Sequence, residues 1–199
     1  MELFERPQDE NMLPFGGVAK CFGKIFTDEL CRSYFEELEG SIEWRHDEVM
    51  MFGKCITTAR RVAWVADEGL SYAYSGRSKQ PAGWTELLLG LRGKCQVMTG
   101  AMYNSCLLNF YHSGGEGMGW HSDDEKSIVP GSSIACLSFG AERKFSFRHK
   151  DTREGVSLLL ENGSLLEMKG AIQENWQHQL PKSKRVLGPR ISLTFRLMR

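Results

Sequence analysis

An α+β fold, helices first and an antiparallel two-sheet half after them, is predicted by three observations. An amphipathic helix pattern stops near residue 40, and a second one follows shortly after residue 80. From about residue 103 the apolar pattern breaks into short alternating runs separated by turn residues. The length, 199 residues with 41% apolar and 11% aromatic content, suits a single packed domain and excludes a disordered chain.

Residues 1–20 read as a loop-like N-terminal extension, and 21–199 as one domain. The first helix is expected over 28–39. Thr27 is its N-cap, Asp28 and Glu29 suit the positive helix end, and Gly40 marks the stop. Leu30, Cys31, Tyr34, Phe35 and Leu38 form its apolar face. The second helix is expected over 83–91, with Trp84, Leu87, Leu88 and Leu91 on one side. Strands are expected at 106–112, 134–139, 144–149, 156–160, 164–168 and 190–197, with Gly163 and Gly170 bounding the fifth. Such a succession predicts a jelly roll or barrel for the later half.

Basic and acidic residues balance at 25 each, so there is no global field for a polyanion and any nucleic-acid partner must meet a local patch. The balance is uneven along the chain. Acids dominate 27–48, whereas 182–199 holds Lys182, Lys184, Arg185, Arg190, Arg196 and Arg199 with no acid. The first residues show no secretion signal and no apolar run is long enough to span a membrane. The six cysteines follow no pattern and read as reduced core thiols of an intracellular protein. The expected compartment is the cytoplasm in a bacterium and the nucleus in a eukaryote.

Chemistry enters through three features. In His121-Ser122-Asp123, an extended backbone points residues i and i+2 the same way, so imidazole and carboxylate can share one metal. His178 can complete two histidines and one carboxylate, a set that suits non-haem Fe(II) and also a hydrolytic zinc site. The strand 190–196 alternates strictly, with Ile191, Leu193 and Phe195 on one face and Arg190, Ser192, Thr194 and Arg196 on the other. Its arginines stand about 20 Å apart at Cα. Their side chains leave a gap near the length of a small dicarboxylate, the kind of group that guanidinium forks recognise. A dicarboxylate beside an Fe(II) triad points to 2-oxoglutarate, whereas a zinc hydrolase has no need of the pair. Asn109 and Tyr111 share a strand face and can donate to the same co-substrate.

These residues carry a resemblance. The segments 103–111, 120–125, 137–145, 176–178 and 189–196 resemble, in order and spacing, the AlkB family of Fe(II)/2-oxoglutarate dioxygenases, over roughly residues 20–198. Its members that demethylate nucleic-acid bases are the most similar. The resemblance implies a double-stranded β-helix with N-terminal helices supporting one sheet and a substrate-recognition hairpin. It implies Fe(II) held by His121, Asp123 and His178, with 2-oxoglutarate held by Asn109, Tyr111, Arg190, Thr194 and Arg196. With O2 the reaction is oxidative N-demethylation of bases such as 1-methyladenine and 3-methylcytosine, releasing succinate, CO2 and formaldehyde.

On the substrate side the resemblance implies an extruded base stacked on Tyr74, within the run from Tyr72 to Gly76, with the ring of His121 on its other face. Asp124 and Glu125 would accept from an exocyclic amino group. Phe52, Gly53 and Lys54 match the hairpin that probes the base stack, Phe52 as a wedge. Lys54, Arg60, Arg77, Lys79, Arg143, Lys144 and Arg148 are candidate phosphate contacts. The expected partner is alkylated DNA, with RNA or a protein side chain as alternatives for the same chemistry; the protein is expected to be monomeric and not membrane-bound. A non-catalytic nucleic-acid reader is the alternative from another class, and the intact triad and arginine pair argue against it. The chain departs from relatives at Ala59-Arg60, where Pro-Arg is common, at Val65-Ala66-Asp67, where Tyr-Gly-Asp is common, and at Ser192, where many have Asn. The first two bear on strand preference, not on iron chemistry. The Gly-rich run 114–119 matches no phosphate loop and is expected to be a flexible loop before His121; His46, His112 and His149 are read as structural or surface residues.

Overall fold

The computed structural model describes residues 10–199 except 52–53, 71, 75–76 and 80; side chains at 48–56 and 72–79 are not described. The strands are β1 (Val18–Lys24), β2 (Arg45–Met51), β3 (Lys54–Ala66), β4 (Tyr72–Tyr74), β5 (Arg77–Lys79), β6 (Ser105–Tyr111), β7 (Met118–His121) and β8 (Ile134–Gly140). They continue with β9 (Arg143–His149), β10 (Gly155–Leu160), β11 (Ser164–Lys169), β12 (Trp176–Leu180) and β13 (Arg190–Arg196). The helices are α1 (Asp28–Ser41), α2 (Glu86–Thr99) and the short α3 (Ile172–Asn175).

A large sheet runs β1-β11-β8-β13-β6-β3-β2 and a small one β10-β9-β12-β7, with β4 and β5 paired apart from both. All registered pairings are antiparallel. From β6 onward the chain passes back and forth between the two sheets, with β9 and β10 forming a hairpin within the small one, the winding of a double-stranded β-helix, as the resemblance implies.

The strand period sorts residues into two cores. On the outer face of the large sheet, Leu108, Phe110, Leu137, Phe139, Ile191, Leu193 and Phe195 pack against Cys31 and Leu38 of α1 and Leu88, Leu91 and Cys95 of α2. Between the sheets lie Phe145, Phe147, Leu166, Met168, Trp176 and Leu180. The helices therefore support one sheet from outside and leave its inner face for chemistry.

Thr27 caps α1 as expected, accepting from the Leu30 amide at 3.4 Å. The helix runs through Gly40 to Ser41, and Leu30 is 43% exposed instead of joining the apolar face. The second helix starts later and ends later than 83–91. Thr85 caps it, accepting from the Leu88 amide, and it stops at Gly100, whose φ of 68° closes it in the left-handed region. Gly90 and Gly93 do not end it, because Leu88, Leu91 and Cys95 hold its buried face to the sheet.

Strand β1 begins at Val18, inside the stretch expected as loop, because its edge pairs with β11 from Val18↔Lys169 onward. The Gly-rich run is packed, not flexible. A Cβ at Gly114 would collide with the carbonyl oxygens of Ser183 and Val186, and one at Gly117 with that of Leu180. The five cysteines with described side chains are free thiols. Among the described residues no helix is long and apolar enough to cross a membrane.

Candidate active site

Antiparallel pairing of β12 with β7 sets His178 directly opposite His121, which brings the two distant histidines to one place. Their rings stand 4.2 Å apart at the centroids. Asp123 follows β7, and its Oδ1 lies 3.7 Å from His121 Nε2 and 3.8 Å from His178 Nε2. The three donor atoms fall within 4.8 Å of one another, and this is the group of such residues found among the described side chains. His121 gives its Nδ1 side to the Gly119 carbonyl at 2.8 Å, which leaves the Nε2 lone pair for a metal. Phe145 stacks on the His178 ring at 5.4 Å.

Asp123 is held on both sides. Its amide donates to Gln173 Oε1 at 2.8 Å. Its Oδ2 accepts from Arg196 Nη2 at 2.7 Å and Nε at 3.2 Å, so Oδ1 alone is turned to the histidines. Burial raises the Asp123 carboxyl, but the Arg196 guanidinium, helped by His178 and His121, overrides it and holds the group at about 2. Burial pushes His178 down to about 3, so its imidazole is neutral at pH 7 and able to ligate. Two imidazole nitrogens and one buried carboxylate oxygen fit Fe(II) with open positions left over.

The large sheet supplies the opposite wall. Register places Arg190 beside Tyr111, Ser192 beside Asn109 and Thr194 beside Leu107, all facing inward. Arg190 is buried, donates to Ser138 Oγ at 2.9 Å, and has its guanidinium carbon 5.5 Å from the centre of the Tyr111 ring. Its Nε and the Asn109 Oδ1 are buried without a protein partner. Such orphaned polar atoms along one wall fit a polar co-substrate. The alternation expected of 190–196 is present, with Ile191, Leu193 and Phe195 in the outer core. Arg196 differs from its expected part in one respect, since one edge of its fork is already given to Asp123.

A cavity of about 1070 Å³ joins these residues to an outer half lined by Asp47, Arg60, Trp64, Ala82 and Glu125 among others. Asp124 and Glu125 both reach it, Asp124 exposed and Glu125 partly buried, with Glu125 Oε1 3.9 Å from Arg196 Nη1. Two expected phosphate contacts are corrected. Arg60 is 5% exposed and turns inward, pairing with Asp47 Oδ2 at 3.0 Å and donating to Met118 Sδ at 3.2 Å. Arg143 is 1% exposed and donates to the carbonyls of Glu116 and Pro181 at 2.8 Å, tying loops together. Lys144 is exposed, and Arg148 is half-buried with its guanidinium over the Trp120 ring. Phe52 and Gly53 lie outside the described residues, as do the side chains of Lys54, Tyr72, Tyr74, Arg77 and Lys79. His46, His112 and His149 take no part in the triad; they bond to the Thr58 carbonyl, to Glu116 and to the amides of Asp151 and Thr152.

Sequence reasoning missed Asp47, Trp64, Met118 and Gln173. Asp47 sits in a charged run that reads as a solvated surface. A period-2 reading of Arg60, Val62 and Trp64 would have found the wall strand, since all three face the cavity.

Comparison with known proteins agrees with this geometry. The family described as the 2OG-Fe(II) oxygenase superfamily matches residues 19–196. The proteins named DNA oxidative demethylase ALKBH2 from Bos taurus and Homo sapiens are each 41% identical over 186 residues. Those alignments cover 88% of this chain, and 66% and 70% of the two relatives' own lengths. The Bos taurus protein named alpha-ketoglutarate-dependent dioxygenase alkB homolog 3 is 36% identical, over 94% of this chain and 68% of its own. The solved structure of OsALKBH1 shares the fold, with a TM-score of 0.63 at 16% identity, covering 93% of this chain and 98% of its own. Sequence, winding and donor set agree: this chain belongs to the AlkB family of Fe(II)- and 2-oxoglutarate-dependent dioxygenases.

Proposed function

We propose that the chain removes N-linked methyl groups from DNA bases, with 1-methyladenine and 3-methylcytosine as substrates and succinate, CO2 and formaldehyde as products. The observation that supports it most is one cavity, about 1070 Å³, lined together by the triad, the arginine strand and the residues of its outer half. The names of the 41% identical relatives supply the substrate class.

In this reading His121, Asp123 and His178 hold Fe(II). Arg190 takes one carboxylate of 2-oxoglutarate with Tyr111 and Asn109 beside it, while Thr194 and the remaining edge of Arg196 serve the other end. When bound, Fe(II) with 2-oxoglutarate and O2 supplies the oxidation of a methyl C–H to C–OH, and the hydroxymethyl group leaves as formaldehyde. The protein's own task is orientation. Arg196 holds Asp123 Oδ2 and leaves Oδ1 facing the two histidines that would share the metal with it, and neutral His178 keeps its lone pair available. Asp124 and Glu125 accept from an exocyclic amino group at the cavity mouth. By resemblance, Tyr74, in the run that begins at Tyr72, stacks one face of the extruded base and the His121 ring covers the other, while Phe52, Gly53 and Lys54 probe the duplex. Extrusion costs a few kcal/mol, least where methylation already spoils pairing. With Arg60 and Arg143 turned inward, the phosphate contacts reduce to Lys54, Arg77, Lys79, Lys144 and Arg148, so binding is moderate and salt-sensitive.

The test is the purified protein with Fe(II), ascorbate, 2-oxoglutarate and O2, offered methylated oligonucleotides as single-stranded DNA, double-stranded DNA and RNA, and read by mass. Loss of 14 mass units from DNA (about one CH2, a change fixed by the proposed chemistry) in wild type but not in His178→Ala is the expected result. Loss on RNA alone would replace DNA by RNA, and no loss on any strand would reject the demethylase reading.

A further inference from the structure

Pro81, Ala82, Gly83 and Thr85, in the residues that lead into α2, line the outer wall of the cavity. They end a segment that leaves β3 after Ala66. Its described ends are tied to the sheet by the Asp67 amide, which donates to the Asn104 carbonyl at 2.9 Å, and by a parallel bridge between Val65 and Ala82, with the Ala82 amide donating to the Trp64 carbonyl at 3.0 Å. A side-chain cluster closes it. Asp67 Oδ1 accepts from Trp84 Nε1 at 2.7 Å and from Arg92 Nη1 at 2.9 Å. The Arg92 guanidinium carbon lies 4.5 Å from the Trp84 ring centre, so the three groups contact one another pairwise. One carboxylate oxygen thus joins the first residue after β3, the last residues of the returning segment and the body of α2.

The cluster is indexed to the co-substrate wall. Trp84 lies parallel to Phe195, at 4° and 6.4 Å between centroids, and Phe195 is fully buried on β13. Its chain neighbours Thr194 and Arg196 point the other way, into the cavity. The distance between the outer wall and the arginine strand is therefore set through Trp84 on Phe195, and the clasp decides where Trp84 sits. The Asp67 carboxylate is half exposed and the Arg92 side chain mostly covered, so the ion pair alone is worth little. The clasp acts as a positional device because it joins Asp67, just after the end of β3, both to Trp84 and to Arg92 of α2 across the foot of the wall.

We infer that Asp67, Trp84 and Arg92 are positioning residues that fix the substrate side of the cavity and so govern binding of the methylated strand, without touching the metal or 2-oxoglutarate. This rests on the demethylase reading for the identity of the strand. The test compares Asp67→Ala, Arg92→Met, Trp84→Phe and Asp67→Asn. For each, KM and kcat are measured on methylated oligonucleotide, together with oligonucleotide-free 2-oxoglutarate consumption and hydrogen exchange of the Ala82 amide.

Asp67→Ala should raise the oligonucleotide KM roughly three- to tenfold, the equivalent of about one lost exposed pair and its hydrogen bond, with kcat and oligonucleotide-free consumption unchanged. Ala82 exchange should accelerate alongside. Arg92→Met and Trp84→Phe should each show part of this, and Asp67→Asn, which keeps an acceptor oxygen, should recover most of it. Unchanged KM in Asp67→Ala, unchanged Ala82 exchange, or equal losses in KM and in oligonucleotide-free consumption would each overturn the inference. If Asp67→Ala does not fold, Arg92→Met and Trp84→Phe decide by the same criteria. A wild type that demethylates no oligonucleotide would reject the demethylase reading, and the exchange measurement would still decide whether the clasp holds the wall.

Discussion

The floor and the rim of the cavity are held in different ways. On the floor, His178, Asp123, Arg190 and Arg196 are all 5% exposed or less, seated on strands paired on both sides or cross-bonded from two sheets. At the rim, the wall from Pro81 to Thr85 is joined to the sheet by the Val65–Ala82 bridge, by Trp84 on Phe195 and by a partly exposed clasp, and Asp124 reaches solvent. The contrast teaches a division of labour. Metal chemistry needs donors fixed to within a fraction of an ångström, which a closed sandwich supplies. Substrate choice is left to segments attached to that sandwich, where change costs little stability.

The comparison breaks most visibly at the floor. His178→Ala should abolish both oligonucleotide demethylation and oligonucleotide-free 2-oxoglutarate consumption, with Fe(II) no longer retained through gel filtration while the circular dichroism of the fold persists. The arginines sharpen it. Arg190→Ala and Arg196→Ala should each raise the apparent 2-oxoglutarate KM on the order of 30-fold or more, as when one partner of a buried charged pair is removed. Only Arg196→Ala should also weaken Fe(II) binding, because Asp123 then loses the fork that holds Oδ2. Titration calorimetry with Mn(II) in place of Fe(II) separates the two effects.

A rim change should split the readouts instead. Tyr74→Ala should lower oligonucleotide turnover roughly 5- to 100-fold, the worth of one base stack, and leave oligonucleotide-free consumption nearly intact. Equal losses would contradict a stacking role. The smallest effect concerns the metal-free protein and pH. His178 is depressed from 6.5 to about 3, so between those values the unfolded chain binds a proton that the folded chain refuses. Stability is then greatest above pH 6.5 and declines as pH falls toward 3, and Asp123, lowered from 3.8 to about 2, adds to the loss at the acid end. Thermal melts of metal-free protein from pH 7 to pH 4 check it; His178→Gln should flatten the slope.

Much of the floor, and of the helices behind it, was legible from residue order. The 190–196 alternation, the His-x-Asp pair and the Thr27 cap of α1 are local patterns, and each appears where the pattern puts it. Less of the rim and edges was legible. Strand β2 opens Arg45-His46-Asp47-Glu48, which reads as solvated charge, yet Asp47 is 5% exposed because Arg60 meets it. Strand β7 is four residues with a glycine inside, too short for a period to show. Arg143 resembles a surface base and is instead a buried tie among three loop carbonyls. In each case the deciding partner lies far away in sequence.

By itself the sequence determined which side chains share a face and what chemistry they offer: imidazole and carboxylate in step, two guanidinium groups spaced for a dicarboxylate, apolar residues on the reverse. Those follow from the two-residue period of a strand, a property of neighbours. Only the tertiary structure decided that His178 meets His121, that Arg196 gives one edge of its guanidinium to Asp123, and that Arg60 and Arg143 turn inward. Those outcomes depend on which strands pair and which charges find partners when two sheets close on one core, and a buried charge is stable only where that closure supplies its counterpart.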